Sequence, residues 1–347
     1  MLFPGAIRTP GTRLPEISWL RQLEMTKQKL RWGILGTGMI AGKFAFDLPR
    51  SQGGVLLATG SRTLASAQRF SSQYGGKAYA GYESVLHDPA VDAVYVALPN
   101  GMHHEWTLRA LEAGKHVLCE KPFAANFRQA EEMFAAADLS GCLLVEAFMY
   151  RAHPLLPKLI ATVRSGLLGE LRLIRSNFTF ARPELNHDAR YHSGQSGGAL
   201  MDVGCYCVNL CRQVVGVEPD AVQAMAHLHP GGVDEYAAAL LRFPGDVLAT
   251  ITCGMTVVSD DMTHIAGTEG RIAIRAFWFG RDGFTVTRGD HTQTIQVEET
   301  RPLYAVEADA FAAAVFGQAP PWISREDTLG NMLVLDTLRQ SAGVPLG

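Results

Sequence analysis

Short apolar runs alternate with amphipathic stretches between residues 32 and 146, and this alternation is the feature that most limits the fold. The pattern is typical of a parallel sheet with helices on both faces, so it predicts an α/β domain. The predicted strands are Trp32–Leu35, Val55–Thr59, Val94–Leu98, His116–Cys119 and Cys142–Glu146, and the predicted helices are Ile40–Asp47, Leu64–Gln73, His103–Ala113 and Phe127–Asp138.

The pattern changes after about residue 151, where strand-like runs separated by turn residues follow a predicted helix at Leu155–Arg164. These runs predict a second, α+β domain with a large, mainly antiparallel and open sheet. At 347 residues the chain is long enough for two such domains. The predicted strands are Leu171–Ala181, Ala221–Leu228, Glu235–Phe243, Val247–Thr256, Met262–Ala266, Arg271–Arg275 and Phe284–Thr287.

A glycine turn, Gly36-Thr37-Gly38-Met39-Ile40-Ala41, follows the first predicted strand and opens the first predicted helix. In this context Gly36 permits a tight turn, Gly38 lets the backbone approach a pyrophosphate, and Ala41 stands where helix and strand pack closely. The amides at such a helix start attract phosphates. The segment therefore predicts a dinucleotide site, and the alternative is a purely structural turn.

The end of the second predicted strand discriminates between the two nicotinamide cofactors. NAD sites usually place an acid there to bind the ribose 2′-hydroxyl, but no acidic residue lies between Asp47 and Glu83. Ser61, Arg62 and Thr63 stand in its place, and their donors suit a 2′-phosphate. NADP is therefore the expected cofactor. The alternative is that Arg62 only solvates a strand end.

Three separated residues can supply alcohol–nicotinamide chemistry, which needs a base for the hydroxyl proton and a positive charge near the forming carbonyl. Lys121 follows the fourth predicted strand, whereas Asp202 and Tyr206 lie one turn apart on a predicted helix at residues 198–215. We expect Tyr206 to be the base, Lys121 to lower its pKa, and Asp202 to orient Lys121 or a substrate hydroxyl. The alternative is a core tyrosine with an Asp partner.

Four motifs together resemble the Gfo/Idh/MocA family of nicotinamide-dependent oxidoreductases, over nearly the whole chain from about Arg31. They are the glycine turn, Pro99–Pro122 with Glu120-Lys121-Pro122, Glu146–Pro154, and Gly197–Tyr206. Within the family, Tyr206 and Glu146–Pro154 look most like the branch of D-xylose dehydrogenases, dimeric dihydrodiol dehydrogenases and glucose–fructose oxidoreductase.

The resemblance implies a Rossmann domain at residues 31–150, a substrate-binding and dimerisation domain at residues 151–347, and a homodimer through the open sheet. It also implies that Asn100 and His103 lie near the ribose and nicotinamide, with Leu98 and Glu120 beside them, although His103 could equally start a helix without touching a ligand. The expected activity is NADP-dependent oxidation of a sugar or cyclic polyol, most simply at the anomeric carbon of an aldose such as D-xylose. The alternatives are a keto-sugar reductase, a glucose–fructose oxidoreductase, or a sugar-responsive regulator that binds dinucleotide without turnover.

A polar loop ahead of the predicted catalytic helix suits recognition of several substrate hydroxyls. Arg190 in this loop is the expected substrate contact, together with Asp202 and Tyr206. Arg151 and His153 either contribute to this recognition or belong to a structural hinge. The polar residues of the loop are Arg182, Asn186, His187, Asp188, Arg190, Tyr191 and His192.

Composition excludes several other classes of protein. A formal net charge of −3 without a clustered basic face argues against nucleic-acid binding, and no apolar run is long enough to span a membrane. The six cysteines occupy apolar segments without a metal-ligand pattern, so we expect reduced core thiols in a cytoplasmic enzyme and no metal site. Residues 1–30 lack a signal-peptide core, and we expect a mobile arm, an over-extended start or a segment that packs on a partner subunit.

Overall fold

A computed structural model describes residues 28–182, 188–280 and 282–346. In its N-terminal half, six parallel strands form one sheet in the order β3-β2-β1-β4-β5-β6. Because the order reverses between β1 and β4, a crevice opens at the carboxyl ends of these strands. The six strands are β1 (Leu30–Leu35), β2 (Gly54–Ser61), β3 (Lys77–Ala80), β4 (Ala93–Val96), β5 (His116–Glu120) and β6 (Leu144–Ala147).

Helices cover this first sheet, and local signals fix where two of them begin. Thr63 accepts a hydrogen bond from the Ser66 amide at the start of α2, and Asn126 accepts one from the Gln129 amide at the start of α5. The first half thus has the predicted Rossmann architecture. Its helices are α1 (Met39–Asp47), α2 (Leu64–Tyr74), α3 (Glu83–Leu86), α4 (His103–Glu112) and α5 (Phe127–Ser140), with 3₁₀ turns at Leu48–Arg50 and Asn100–Met102.

The second sheet has eight strands in the order β14-β13-β12-β11-β7-β10-β9-β8. All of its pairs are antiparallel except β7 with β10, so the predicted mainly antiparallel sheet is confirmed. Residues of β9 alternate between buried and exposed, because helices cover only one face. The strands are β7 (Leu171–Thr179), β8 (Ala221–Leu228), β9 (Asp234–Phe243), β10 (Val247–Gly254), β11 (Met262–Gly267), β12 (Arg271–Arg275), β13 (Gly283–Arg288) and β14 (His291–Gln296).

The remaining helices connect the two sheets. Helix α9 returns to the first sheet, where Phe311 contacts Trp32 at a ring-centroid distance of 5.0 Å, and Asp309 accepts hydrogen bonds from the amides of Gln52 and Gly53. These helices are α6 (Met149–Ala152), α7 (Leu155–Arg164), a π-helical turn (Leu200–Gly204), α8 (Cys205–Val215), α9 (Leu303–Val315) and α10 (Arg325–Ser341), with 3₁₀ turns at Ala189–Tyr191, Ser193–Gln195 and Phe277–Phe279.

Several details differ from the sequence predictions. The predicted regular helix at residues 198–215 starts instead as the π turn, and β3, β14, α9 and α10 were not predicted. Leu30, assigned above to the mobile arm, begins β1 and is buried. Residues 1–27 of that arm lie outside the described residues, and the domain boundary near residue 150 stays a prediction. None of the helices that the structure describes has the length and apolarity to cross a membrane.

Candidate active site

A cavity of about 1410 Å³ lies at the carboxyl ends of the first sheet's strands and continues to the π turn and α8. Its wall includes the predicted substrate contacts Arg190, Asp202 and Tyr206. It also includes every predicted cofactor residue except His103, namely Gly36, Thr37, Gly38, Met39, Ile40, Ser61, Arg62, Leu98, Asn100, Glu120 and Lys121. Local motifs from the two halves of the chain therefore meet at one place.

The glycine turn has the geometry that a pyrophosphate requires. Gly36 adopts a φ of 112°, and a Cβ there would lie 2.4 Å from the carbonyl oxygen of Ala97, so a side chain is excluded. Gly38 precedes α1, and a Cβ on it would meet nothing within 4 Å. No side chain of the described residues caps this helix start. Its amides are thus available for phosphate oxygens.

The end of β2 presents hydroxyl and guanidinium donors to the same cavity. Ser61 is buried, and its hydroxyl lies 3.2 Å from that of Thr37 in the glycine turn. Arg62 is exposed and lines the cavity, and among the described residues it has no hydrogen-bond or ion-pair partner. A planar guanidinium in this position matches the geometry of a phosphate group.

Lys121 is held by the π turn of the second half. Its Nζ donates to Asp202 Oδ1 at 3.0 Å and to the Asp202 carbonyl oxygen at 2.8 Å, while Arg190 Nε lies 3.0 Å from Asp202 Oδ2. Burial is the largest single influence and opposes the charge on both partners, but the other groups together outweigh it: Asp202, Cys205 and Glu120 raise the pKa of Lys121, and Lys121 and Arg190 lower that of Asp202. Lys121 therefore stays cationic, as its predicted role requires.

Tyr206 lies beside Lys121, but the expected electrostatic effect on it is wrong. Lys121 Nζ is 5.1 Å from the centroid of the Tyr206 ring, above its face, whereas the phenol oxygen contacts Met149 Sδ at 3.5 Å. Burial, with the nearby Tyr304 and Glu120, raises the pKa of Tyr206 well above its ordinary value. The positive charge of Lys121 is paired with the Asp202 carboxylate and does not stabilise a Tyr206 phenolate. The phenol therefore keeps its proton in the protein without a cofactor.

His103, whose contact with a ligand the sequence left open, has a side chain that does not reach the cavity. The ring is fully buried, and its two nitrogens lie 2.9 Å from the Pro122 carbonyl oxygen and 2.8 Å from that of Leu98. Both carbonyls belong to loops at the cavity edge. His103 therefore braces these loops and has no nitrogen left for a ribose or nicotinamide.

Comparison with known proteins agrees with this geometry. The profile described as "Oxidoreductase family, NAD-binding Rossmann fold" matches residues 30–148, and the GFO/IDH/MocA C-terminal domain matches residues 157–273. The chain belongs to the Gfo/Idh/MocA family. It is therefore an oxidoreductase with a Rossmann domain of the NAD(P)-binding type.

Individual members of the Gfo/Idh/MocA family align over most of the chain. A trans-1,2-dihydrobenzene-1,2-diol dehydrogenase of Mus musculus is 35% identical, covering 72% of this chain and 75% of its own. A D-xylose 1-dehydrogenase (NADP(+)) of Haloferax volcanii is 32% identical, covering 90% and 97%. A solved 3-ketoreductase of Actinomadura kijaniata, in complex with NADP and TDP-benzene, is 32% identical, with a TM-score of 0.84 and coverage of 90% and 98%.

Arg151 and His153 belong to the segment Glu146–Pro154, one of the motifs that resemble the Gfo/Idh/MocA family. Both were considered for substrate recognition, but their contacts are structural. Arg151 bonds to Asp327 and Asn209, and His153 accepts a hydrogen bond from the Leu155 amide. Neither Arg151 nor His153 lines the cavity. The structural alternative is thus the one that the contacts favour.

The polar loop contributes Arg182, Asp188, Arg190 and His192 to the cavity wall. Tyr191 is buried, and the predicted loop residues Asn186 and His187 lie outside the described residues. No group of three or more metal-ligating side chains occurs in the described parts of the chain.

Sequence reasoning missed the contribution of α9 to the site of this Gfo/Idh/MocA protein. Tyr304, at the start of this helix, lines the cavity, and Glu307 follows it one turn later. The helix is apolar almost all round, so it has no amphipathic period to reveal it. The sequence signal that could have pointed to a role for this helix is its two acidic residues, Glu307 and Asp309, because acids in an alanine-rich apolar stretch need partners.

Proposed function

We propose that the protein is an NADP-dependent dehydrogenase of a sugar or cyclic polyol, most simply oxidising the anomeric carbon of an aldose such as D-xylose. The observation that carries the proposal is the meeting of Lys121, Asp202 and Tyr206 in the cavity that also contains the glycine turn. The xylose and dihydrodiol dehydrogenases among the relatives support this substrate class.

NADP is the proposed cofactor because Ser61 and Arg62 replace the acid of NAD sites. A relative named for NADP(+) and a similar structure that contains NADP support this choice. Bound in the cavity, an oxidised nicotinamide supplies the carbon that accepts the hydride. The protein's part is to orient the substrate alcohol and to remove its proton.

Lys121 is proposed to stabilise the negative charge that develops on the substrate oxygen, because Asp202 holds its ammonium in place. Arg190 steadies the second oxygen of Asp202, so the carboxylate cannot turn away. Since burial raises the pKa of Tyr206, its phenol is protonated and must first release that proton to solvent, which the positive charge of an oxidised cofactor ring would favour. The phenolate then takes the hydroxyl proton of the substrate alcohol.

The function is tested by incubating the purified protein with NADP⁺ and a panel of aldoses, cyclic polyols and trans-diols while following the absorbance of the reduced nicotinamide. We expect turnover with at least one aldose or diol, and faster turnover with NADP⁺ than with NAD⁺. Binding of NADP without turnover of any member would favour the regulator alternative. Exchange between two sugars without release of NADPH would favour a glucose–fructose type of oxidoreductase.

The reductase alternative has support of its own, since one of the similar structures is a 3-ketoreductase. Oxidation of NADPH by a keto-sugar, without the reverse reaction on aldoses, would establish it. A cytoplasmic location is also proposed. All six cysteines are free thiols, five of them buried, as expected in a reducing compartment.

We further propose a homodimer through the uncovered face of the eight-stranded sheet. Leu173 and Leu248 are neighbours in the register of β7 and β10, and both side chains are exposed on that face. Leu240 on β9 is exposed on the same face.

A further inference from the structure

An arginine from the second half of the chain lies beside the glycine turn of the first half. Arg182 comes shortly after the end of β7, and its Nη1 contacts Met39 Sδ at 3.9 Å. Met39 belongs to the glycine turn and is the first residue of α1. Both residues line the cavity, so the guanidinium lies at the part of the wall where the pyrophosphate of a dinucleotide is expected.

The backbone at Arg182 is held by the chain that follows β10. The Arg182 amide donates to the Met255 carbonyl oxygen at 3.3 Å, and Ala181 forms an isolated antiparallel bridge with Thr256. The side chain lies over the ring of Phe180, with Cζ 5.9 Å from the ring centroid. Phe180 also lines the cavity, so an aromatic face supports the guanidinium there.

The charge of Arg182 has no acidic partner among the described residues. The side chain is exposed, and the two groups that it contacts, a thioether and an aromatic ring, are uncharged. Asp188 and Asp202, which line the same cavity, pair with Arg190 instead. An anion bound at the glycine turn would therefore meet a guanidinium whose donors are available.

Lys43 adds positive charge on the same side of the cavity. It is exposed, lies one helical turn after Met39 on α1 and lines the cavity. Positive side chains thus approach the start of α1 from both halves of the chain. Each phosphate of a dinucleotide's pyrophosphate is negatively charged, and a planar guanidinium matches phosphate oxygens with parallel donors. Uncharged sugar hydroxyls would leave the charge of Arg182 unmatched.

We propose that Arg182 binds the pyrophosphate of the dinucleotide, so that the second half of the chain contributes directly to cofactor affinity. The amides at the start of α1 bind the phosphates from the Rossmann side, and the guanidinium binds them from the other side of the cavity. NAD and NADP share the pyrophosphate, so Arg182 contributes equally to both, whereas Arg62 distinguishes them. The inference rests on the proposed function in requiring a dinucleotide in this cavity.

The test is fluorescence titration of purified Arg182→Gln with NADP⁺ and with NAD⁺. Because a charge-assisted hydrogen bond is lost, we expect both dissociation constants to rise by the same factor, about tenfold. Arg182→Lys keeps the charge without the planar fork and should lose less affinity. Added salt should weaken nucleotide binding to the unaltered protein more than binding to Arg182→Gln. An arginine with only a structural role would show no such difference in salt dependence.

A double variant locates the contact on the nucleotide. For NADP⁺ the losses of Arg62→Ala and Arg182→Gln should add, because the two arginines bind different phosphates. Arg172→Gln is the matched control: Arg172 is an exposed arginine of β7 that pairs with Glu170 and does not line the cavity. It should leave both dissociation constants unchanged.

Unaltered affinity of Arg182→Gln for both nucleotides overturns the inference. A loss confined to NADP⁺ also overturns it, because the contact would then be with the 2′-phosphate. A raised KM for the substrate at unchanged nucleotide affinity would assign Arg182 to the substrate instead. If the unaltered protein binds neither nucleotide, the proposed function fails as well, whereas turnover by Arg182→Gln with unaltered nucleotide affinity rejects this inference alone.

Discussion

The ion pair of Lys121 with Asp202 joins the Rossmann half to the second half, so each residue depends on the other for its charge state. Their pKa values move in opposite directions, because each stabilises the other's ionised form. This ion pair does not lower the pKa of Tyr206, because burial, the largest influence, raises it. At the scale of single residues, the structure therefore has a stable cation beside a protonated phenol, and the proposed role of Tyr206 as a base requires added positive charge from the cofactor.

Tyr206→Phe should separate chemistry from binding. We expect it to leave NADP binding nearly unchanged and to remove a proton-transfer contribution of about 10²–10⁴ in turnover rate. Lys121→Ala should be as damaging, and the double variant should lose little more, because groups acting as a unit are not additive. Steady-state rates with an identified substrate measure this. Tyr150→Phe is the control, since Tyr150 is buried, bonds to Asn209 and does not line the cavity.

Turnover of Tyr206→Phe at the unaltered rate would remove Tyr206 from the mechanism. The pH profile gives a second readout, because oxidation should rise towards alkaline pH as the phenol loses its proton, a direction that follows from the raised pKa of Tyr206. In the phenylalanine variant this rise should flatten.

Arg62→Ala should change the choice of cofactor. A charge-assisted bond to a 2′-phosphate contributes roughly 1.5–3 kcal/mol, so NADP affinity should fall by about tenfold or more while NAD affinity barely changes. Fluorescence titration with both nucleotides measures the two constants. Arg69→Ala is the control, because Arg69 is an exposed arginine of α2 that bonds to Ser66 and does not line the cavity. Equal affinities for NADP and NAD in the unaltered protein would contradict the assignment.

Strand β6 carries a buried acid whose titration affects stability. Burial raises the pKa of Glu146 to about 8, although its Oε1 accepts a hydrogen bond from the Phe123 amide. The folded state thus keeps a proton that the unfolded chain releases above the ordinary glutamate pKa of about 4.3. The free energy of unfolding should therefore fall as pH rises between about 4.3 and about 8, and then stop falling.

Glu146→Gln should remove this part of the pH dependence and raise the melting temperature at alkaline pH. Differential scanning calorimetry from about pH 5 to about pH 9 measures the effect. Glu105→Gln, at an exposed position on α4, should keep the slope of the unaltered protein. If the melting temperature of the unaltered protein, Glu146→Gln and Glu105→Gln changed with pH by the same slope, the raised pKa of Glu146 would be contradicted.

The elements that could be predicted are those with local signals. The glycine turn, the helices capped by Thr63 and Asn126, and strands β7 to β13 of the second sheet appear where they were predicted, with shifts of a few residues at their ends. Helix α9 could not be found because ten of its thirteen residues are buried, which leaves no amphipathic period. The short edge strand β3 lacks a long apolar run.

The π turn at Leu200–Gly204 depends on contacts that sequence spacing does not contain. Asp234, distant in sequence, accepts a hydrogen bond from the Leu200 amide at 2.6 Å. Gly198 has a φ of 109°, and a Cβ there would lie 2.1 Å from Asp234 Oδ1. Asp234 thus packs directly against the start of the helix that carries Asp202 and Tyr206. Most of the residues predicted for the site line the cavity, but their relative geometry comes from tertiary structure.

At the scale of the whole molecule, the uncovered face of the eight-stranded sheet carries several exposed large apolar side chains. Met225 is 79% exposed, Leu240 54% and Leu248 47%, and Leu248 adjoins the exposed Leu173. Exposed apolar side chains clustered on one face of a sheet often mark a protein–protein interface. A second copy of the chain suits it, because one face can meet itself about a two-fold axis.

Leu240→Lys should therefore weaken the dimer, because pairing about a two-fold axis would desolvate two lysines for each interface. Sedimentation velocity over a range of protein concentrations should show a dimer for the unaltered protein and a shift towards monomer for this variant. Leu139→Lys is the matched control: Leu139 is 90% exposed but lies on α5, away from the sheet, and should leave the dimer intact. A monomer at high concentration of the unaltered protein would exclude this interface. If neither Leu240→Lys nor Leu139→Lys weakened the dimer, the contact between the two copies would lie on another surface.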